Sequence, residues 1–256
     1  MAKLKLVELF AGCGGMSLGL EANGIVLYFA NELSPMASET FAYNILQENL
    51  QYKKEQEEIS NKVLWLKSHH KRENLENRLR ENPFGTRTGK YSDLTPSTNL
   101  DKKLLIGDVN ELVSFFRKNE DLCQNIRQRD IDLISGGPPC QGFSLAGKRI
   151  KNDYKNSLPL SFANLANQLR PKIVLLENVK GITAPFKGEN GEKYYAWLEV
   201  AKAFALCDYI PICVMLNAKY FGAPQYRPMF FLLAYRNYIL KMKKTKLFLM
   251  EYFCLK

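Results

Sequence analysis

Apolar residues gather in short runs along this chain, each closed by glycine, proline or an acidic residue and followed by a longer stretch of mixed polarity. Short apolar runs alternating with helical stretches predict the strands of an open α/β sheet. Leu4 to Phe10 reads as the first strand, and AGCGGMSLGLEANG as a glycine-rich turn entering a helix that stops at Gly24. Ile25 to Ala30 supplies a second strand ending in Asn31 and Glu32, with Ser34 and Pro35 as N-cap and first-turn proline of the next helix. Lys103 to Ile106 reads as a third strand, closed by Gly107, Asp108 and Val109 and followed by a helix through Phe116. Ile131, Leu133 and Ile134 form a short fourth strand, and a helix from Asn156 to Gln168 leads by way of Pro171 into a fifth, Ile173 to Leu176. Ile210 to Leu216 and Phe230 to Ala234 complete seven.

Between Leu50 and about Lys102 the periodicity fails, because charges of both signs interleave and apolar residues thin out. This segment is expected to be an insertion, a solvated helical excursion with no dedicated nucleic-acid face. His69 and His70, the two histidines of the chain, fall within it. Neighbouring side chains on a helix point apart, so the pair lacks metal-ligand spacing and is expected on a solvated face, and no metal site is predicted.

Composition narrows the class. A chain of 256 residues with 46% apolar content fits one large α/β domain or two small ones. The 36 basic residues against 26 acidic give a net charge of +10, which suits a polyanionic partner but also serves solubility alone. Cys13, Cys123, Cys140, Cys207, Cys213 and Cys254 show no CxxC pair, so a zinc cluster and a disulfide framework are both disfavoured and a reducing cytoplasm is expected. The N-terminus lacks the pattern of a signal peptide, and no stretch is apolar for long enough to span a bilayer.

The chemistry concentrates at predicted strand ends, where open α/β sheets place their ligands. GGPPCQGFS, Gly136 to Ser144, stops the fourth strand abruptly and holds the thiol of Cys140 in the following loop. A lone cysteine beside an ordinary turn is usually a buried, inert one, and the PPCQ context reverses that reading. Gly12, Gly14 and Gly15 leave the backbone bare where a ligand can approach, but the dinucleotide fingerprint is only approximate, since Ser17 stands where its third glycine belongs. Glu32 is placed to accept two ribose hydroxyls, and Asp108 to accept from an amino group. Glu177 leaves a strongly apolar strand, so desolvation should favour its neutral form and let it act as an acid. Gln225 and Arg227 lie two apart and share one face of an extended chain, able to bind a base or phosphate or simply to lie on the surface.

In this order, LFAGCGG, NE, GD, GGPPCQGFS, LLENV and APQYR resemble the blocks of the cytosine-5 DNA methyltransferases, over roughly Leu4 to Tyr235. The resemblance implies a doubly wound, mostly parallel seven-stranded α/β sheet and S-adenosyl-L-methionine as cofactor. It implies that Phe10, Gly12 and Gly14 line the cofactor, Glu32 holds its ribose, Leu33 and Val109 flank adenine, Asp108 accepts from the adenine amino group and Leu158 adds a contact. Cys140 would be the nucleophile, Glu177 the acid at the pyrimidine ring, Gln141 and Gln225 substrate contacts, and Arg227 a catalytic and substrate-loop residue. Double-stranded DNA with its target cytosine flipped out would be the substrate, in a restriction-modification setting.

Two departures accompany the resemblance. Met229 stands where the family has a second arginine, and methionine cannot donate to a base carbonyl. The resemblance is expected to stop short of the family's target-recognition region and final helical block. Residues 1–236 are therefore expected to form the catalytic domain, with 237–256 a basic and apolar tail and a second chain as a candidate source of recognition. An inactive cofactor- or DNA-binding remnant and a tRNA methyltransferase are the alternative readings.

Overall fold

The computed structural model describes residues 3–84, 88–139, 158–187 and 193–237. Cys140, Gln141 and the tail from residue 238 onward lie outside the described residues.

The strands are β1 (Leu4–Leu9), β2 (Ile25–Glu32), β3 (Val63–Trp65), β4 (Lys103–Ile106), β5 (Leu133–Gly136), β6 (Ile173–Val179), the short β7 (Phe186–Lys187) and β8 (Lys193–Tyr194), β9 (Tyr209–Asn217) and β10 (Pro228–Arg236). Eight of them form one sheet in the order β3-β4-β2-β1-β5-β6-β10-β9, and β7 pairs with β8 in a separate ribbon. β10 runs antiparallel to both β6 and β9, while every other pairing in the large sheet is parallel. The α/β class is as expected, but the sheet has eight strands where the apolar runs predict seven.

The extra strand is β3, inside the segment expected to be a solvated excursion. Val63, Leu64 and Trp65 are all buried, and a run of three apolar residues gives periodicity too little length to register. The stretch after β3 packs into the two cores of the sheet, with Leu75 and Leu79 in one and Leu66 and Leu94 in the other. Arg78 is buried, stands 5.1 Å over the Trp65 ring, and pairs with Asp93 at 2.6 Å. Asp93 in turn accepts from the backbone N–H of Trp65 at 3.0 Å. His69 is exposed, as a solvated face implies, and its ring bridges Glu81 at 2.8 Å and Thr88 at 2.9 Å.

Helices cover both faces. α5 (Val109–Lys118), α6 (Glu120–Gln128), α7 (Leu158–Leu169) and α8 (Ala196–Leu206) pack on one face, where Phe29, Ile134, Leu176 and Leu232 meet Phe116, Phe162 and Phe204 in one continuous core. α1 (Gly15–Glu21), α2 (Pro35–Asn44), α3 (Leu50–Glu55) and α4 (Leu75–Leu79) pack on the other, against the core of Leu6, Ala30, Trp65 and Ile106. That second layer stops short of the outer strands, where Ile210, Ile212 and Val214 of β9 are exposed. Alternation along each strand sends neighbours to opposite layers, so Leu104 and Ile106 join the second core and Leu105 the first. Among the described residues no helix is long and apolar enough to cross a membrane.

Candidate active site at the carboxyl edge of the sheet

The ends of β1, β2 and β4 are wired together through backbone amides. Phe10 leaves β1 with φ of 54°, a left-handed conformation uncommon outside glycine, and packs its ring 6.4 Å from that of Phe162. Gly12 follows, also left-handed, with open space where a side chain would project. Gly14 is held more tightly, since a Cβ there would sit 2.7 Å from Ile45. The Gly12 N–H donates to Glu32 Oε2 at 2.8 Å and the Ser34 N–H to Glu32 Oε1 at 2.8 Å. Each carboxylate oxygen retains a lone pair, the number that a ribose diol needs. Next along the edge, Asn31 donates to the carbonyls of Leu105 and Gly107 at 2.9 and 3.0 Å, and the Gly107 N–H donates to Glu32 O at 2.8 Å.

Asp108 thus lies beside Glu32, buried, and caps α5 by accepting from the Asn110 N–H at 2.9 Å. The start of α7 is joined to the same place, because the Ser161 hydroxyl donates to Asn110 Oδ1 at 2.6 Å. Buried Val109 and Leu158 share the first core with Phe10 packed against it, and Leu33 is half-buried next to Glu32. The structure therefore brings Phe10, Gly12, Glu32, Leu33, Asp108, Val109 and Leu158 to one stretch of the edge. Open backbone at Gly12, a carboxylate with free lone pairs and a buried aspartate fit a nucleoside carrying ribose hydroxyls and an amino group.

Pattern reading missed the support beneath this stretch. Glu8 is buried in the central strand, where desolvation pushes its carboxyl up to about 7, and it accepts a short hydrogen bond from the buried Ser17 hydroxyl. Ser17, the departure from the glycine fingerprint, and Glu8, a lone acid in an apolar strand, account for one another. The signal was present, as a charge flanked by Val7 and Leu9.

The other half of the edge is formed by β5, β6 and the connection between β9 and β10. Register places Gly136 opposite Leu176, so Gly137 comes against Glu177. A Cβ at Gly137 would lie 2.9 Å from Glu177 Oε2, which makes glycine the residue that lets the two strand ends approach. Asn178 donates to Pro138 O at 3.0 Å and so ties the loop that leads towards Cys140 to the strand that carries the acid. Burial raises the Glu177 carboxyl above the ordinary range, with the Arg227 guanidinium opposing it, and Glu177 Oε1 is buried with no hydrogen-bond partner among the described residues. A half-buried carboxyl whose charged form is disfavoured by desolvation can donate a hydrogen bond when it carries its proton.

Arg227 is exposed, and its Nε–H donates to the sulfur of Met229 at 3.2 Å. Its backbone N–H donates to Asn217 Oδ1 at 3.1 Å, which also accepts from the Lys219 N–H at 3.3 Å. Met229 lies opposite Val179 and Phe231 opposite Glu177, so this connection stands at the same edge as the acid. Gln225 is exposed in it. Asn31 and Asn178 belong to the NE and LLENV blocks, but their structural roles do not show in the sequence, and Asn217 does not stand out at all, because an asparagine after a strand resembles any turn residue.

The profile of the C-5 cytosine-specific DNA methylases matches residues 4–68 and 97–252. The Type II methyltransferase M.DdeI of Desulfomicrobium norvegicum is 28% identical over 91% of this chain and 41% of its own length. M.AquIA of Picosynechococcus is 27% identical over 91% of this chain and 72% of its own. A solved structure of an E. coli prophage-encoded DNA modification methyltransferase superposes with a TM-score of 0.55 at 23% identity, over 93% of this chain and 48% of that one. The chain thus spans less than half the length of M.DdeI and of that structure.

Proposed function

The chain belongs to the C-5 cytosine-specific DNA methylases, and from this premise we propose that it takes part in methylating carbon 5 of cytosine in DNA within a restriction-modification system. The observation that carries the reading is Glu177: a half-buried carboxyl, its pKa raised by burial, with one oxygen unpartnered among the described residues, beside the glycine that begins the loop to Cys140.

Glu32, Asp108 and the bare backbone of Gly12 would hold S-adenosylmethionine, with Phe10, Leu33, Val109 and Leu158 as its apolar surroundings. When bound, that cofactor supplies an electrophilic methyl group on a sulfonium. The residues of the other half make cytosine able to accept it. Cytosine carbon 5 is a poor nucleophile, and the Cys140 thiolate changes this by bonding to carbon 6. Electron density from the ring double bond then moves to carbon 5, while the protonated Glu177 donates to ring nitrogen 3 and stabilises the developing negative charge. Carbon 5 gains the methyl group, loses its proton to a base, and the electron pair left behind expels Cys140 as thiolate. Gln141, Gln225 and Arg227 would contact the base or its phosphates, and the target nucleotide must leave the duplex stack to reach them.

The order of events gives the test. Release of Cys140 requires loss of the carbon 5 proton, and fluorine at carbon 5 blocks that loss. Incubation with S-adenosylmethionine and DNA containing 5-fluorocytosine should leave a covalent protein–DNA adduct, resistant to denaturation, whose mass maps to Cys140. The reading fails if wild-type protein forms no adduct, or if Cys140→Ser forms one as readily.

A further inference from the structure

Ala218 to Arg227, between β9 and β10, carries a group of side chains that the reaction does not require. Tyr220, Phe221 and Tyr226 are 75%, 71% and 75% exposed, three large rings within seven residues of one short connection. The backbone beneath them is nevertheless closed. Ala218–Phe221 forms a 3-10 turn, Gly222 takes φ of 85°, Ala223 N–H donates to Ala218 O at 3.3 Å, and Ala218 N–H donates to Arg227 O at 3.3 Å. Asn217 Oδ1 ties both ends of the connection. The rings are thus displayed from a fixed base.

Lys219 completes the arrangement. Its ammonium lies 4.7 Å from the centroid of Tyr220 and 4.8 Å from that of Tyr226, between two aromatic rings. This contact draws the two tyrosines to one cation, and their high exposure leaves ring surface open to solvent. Water-facing rings around a cation match a ligand that offers flat aromatic surfaces and negative charge together, which describes an unstacked stretch of nucleic acid. The position agrees, since Arg227 at the end of the connection acts electrostatically on Glu177.

We propose that Lys219, Tyr220 and Tyr226 form a stacking and phosphate-binding element for the DNA strand beside the displaced cytosine. Lys219 neutralises a phosphate while a tyrosine ring takes a base face exposed when the duplex opens. This rests on the reading of the site as one for DNA, and it assigns affinity to residues other than Gln225 and Arg227.

Fluorescence anisotropy with a labelled oligonucleotide duplex carrying one unpaired cytosine tests it, in the full chain and over a range of salt concentrations. Tyr220→Ala with Tyr226→Ala should weaken binding about tenfold or more, and the corresponding pair of phenylalanine substitutions, which keep the rings, should restore it. Lys219→Ala should lower the slope of log affinity against log salt by about one. Thermal melting controls for folding, and the high exposure of both tyrosines predicts no change there. Wild-type binding that survives the alanine pair with the same salt slope overturns this proposal and leaves the DNA reading standing. A wild-type chain with no affinity for this duplex overturns both, and a loss in the phenylalanine pair equal to that in the alanine pair overturns the stacking role alone.

Discussion

The two halves of the sheet's carboxyl edge are built differently. Around β1, β2 and β4 the polar groups are committed to one another: Gly12 and Ser34 amides to Glu32, Asn31 to two carbonyls, and Asp108 to the amide of Asn110. Around β6 and β10 the reverse holds. Among the described residues Glu177 keeps a buried oxygen without a hydrogen-bond partner, and Arg227 is exposed with a thioether as its acceptor. The packing shows the same division, since helices cover both faces of the first half and β9 in the second has an exposed apolar face. The lesson is that one half is organised by the fold and needs no ligand to hold its shape. The other retains unmet hydrogen-bonding capacity, which is what a group that must donate during a reaction requires.

The sharpest way to break this contrast is to exchange a carboxylate for an amide on each side. Glu177→Gln should lower kcat by about 10²- to 10⁴-fold, as expected for loss of a general acid, with the cofactor dissociation constant unchanged by calorimetry. Glu32→Gln should do the opposite, weakening cofactor binding while turnover at saturating cofactor is largely kept. Were both variants to change the same parameter, the division would be wrong.

A smaller effect probes the foundation under the organised half. Burial pushes the Glu8 carboxyl in the folded chain up to about 7 from an ordinary 4.5. A carboxyl raised on folding contributes stability in full below the lower value and loses it as pH rises through the higher one. Urea denaturation should therefore show stability falling between pH 4.5 and 7, by on the order of 2–3 kcal/mol, and Glu8→Gln should remove most of that slope. An identical slope in the variant would assign the titration to another group.

The smallest change expected concerns Met229. Replacing it by arginine takes the sulfur acceptor from Arg227 and gives the reactive half a second donor. A gain in kcat/KM of about fivefold, on the order of one hydrogen bond, with cofactor affinity constant, would support the view that this half is short of donors. No change, or a loss, would show that the thioether serves Arg227 better than another cation can.

Much of this arrangement is legible in the chain itself, for a definite reason. Strand ends in an open sheet are marked by an abrupt change from apolar to polar residues, so Glu32, Asp108 and Glu177 stand out at such changes and the fold places all three along one edge. Distance in sequence hides the remainder. Val63–Trp65 is too short to display a period, and its burial depends on Leu104 to Ile106 some forty residues later. Glu8 resembles any polar position in an apolar strand until Ser17 turns back onto it. His69 lies in a charged stretch whose ordering depends on Glu81 and Thr88.

The narrow gap between Gly137 and the Glu177 carboxyl reaches beyond catalysis. A methyl group at position 137 would press on the acid's oxygen, and any shift of the acid would press back on the stem of the cysteine loop. The two strand tips are therefore coupled like meshed gear teeth: an engineer who reshapes the pocket for a bulkier pyrimidine cannot adjust one without resetting the other.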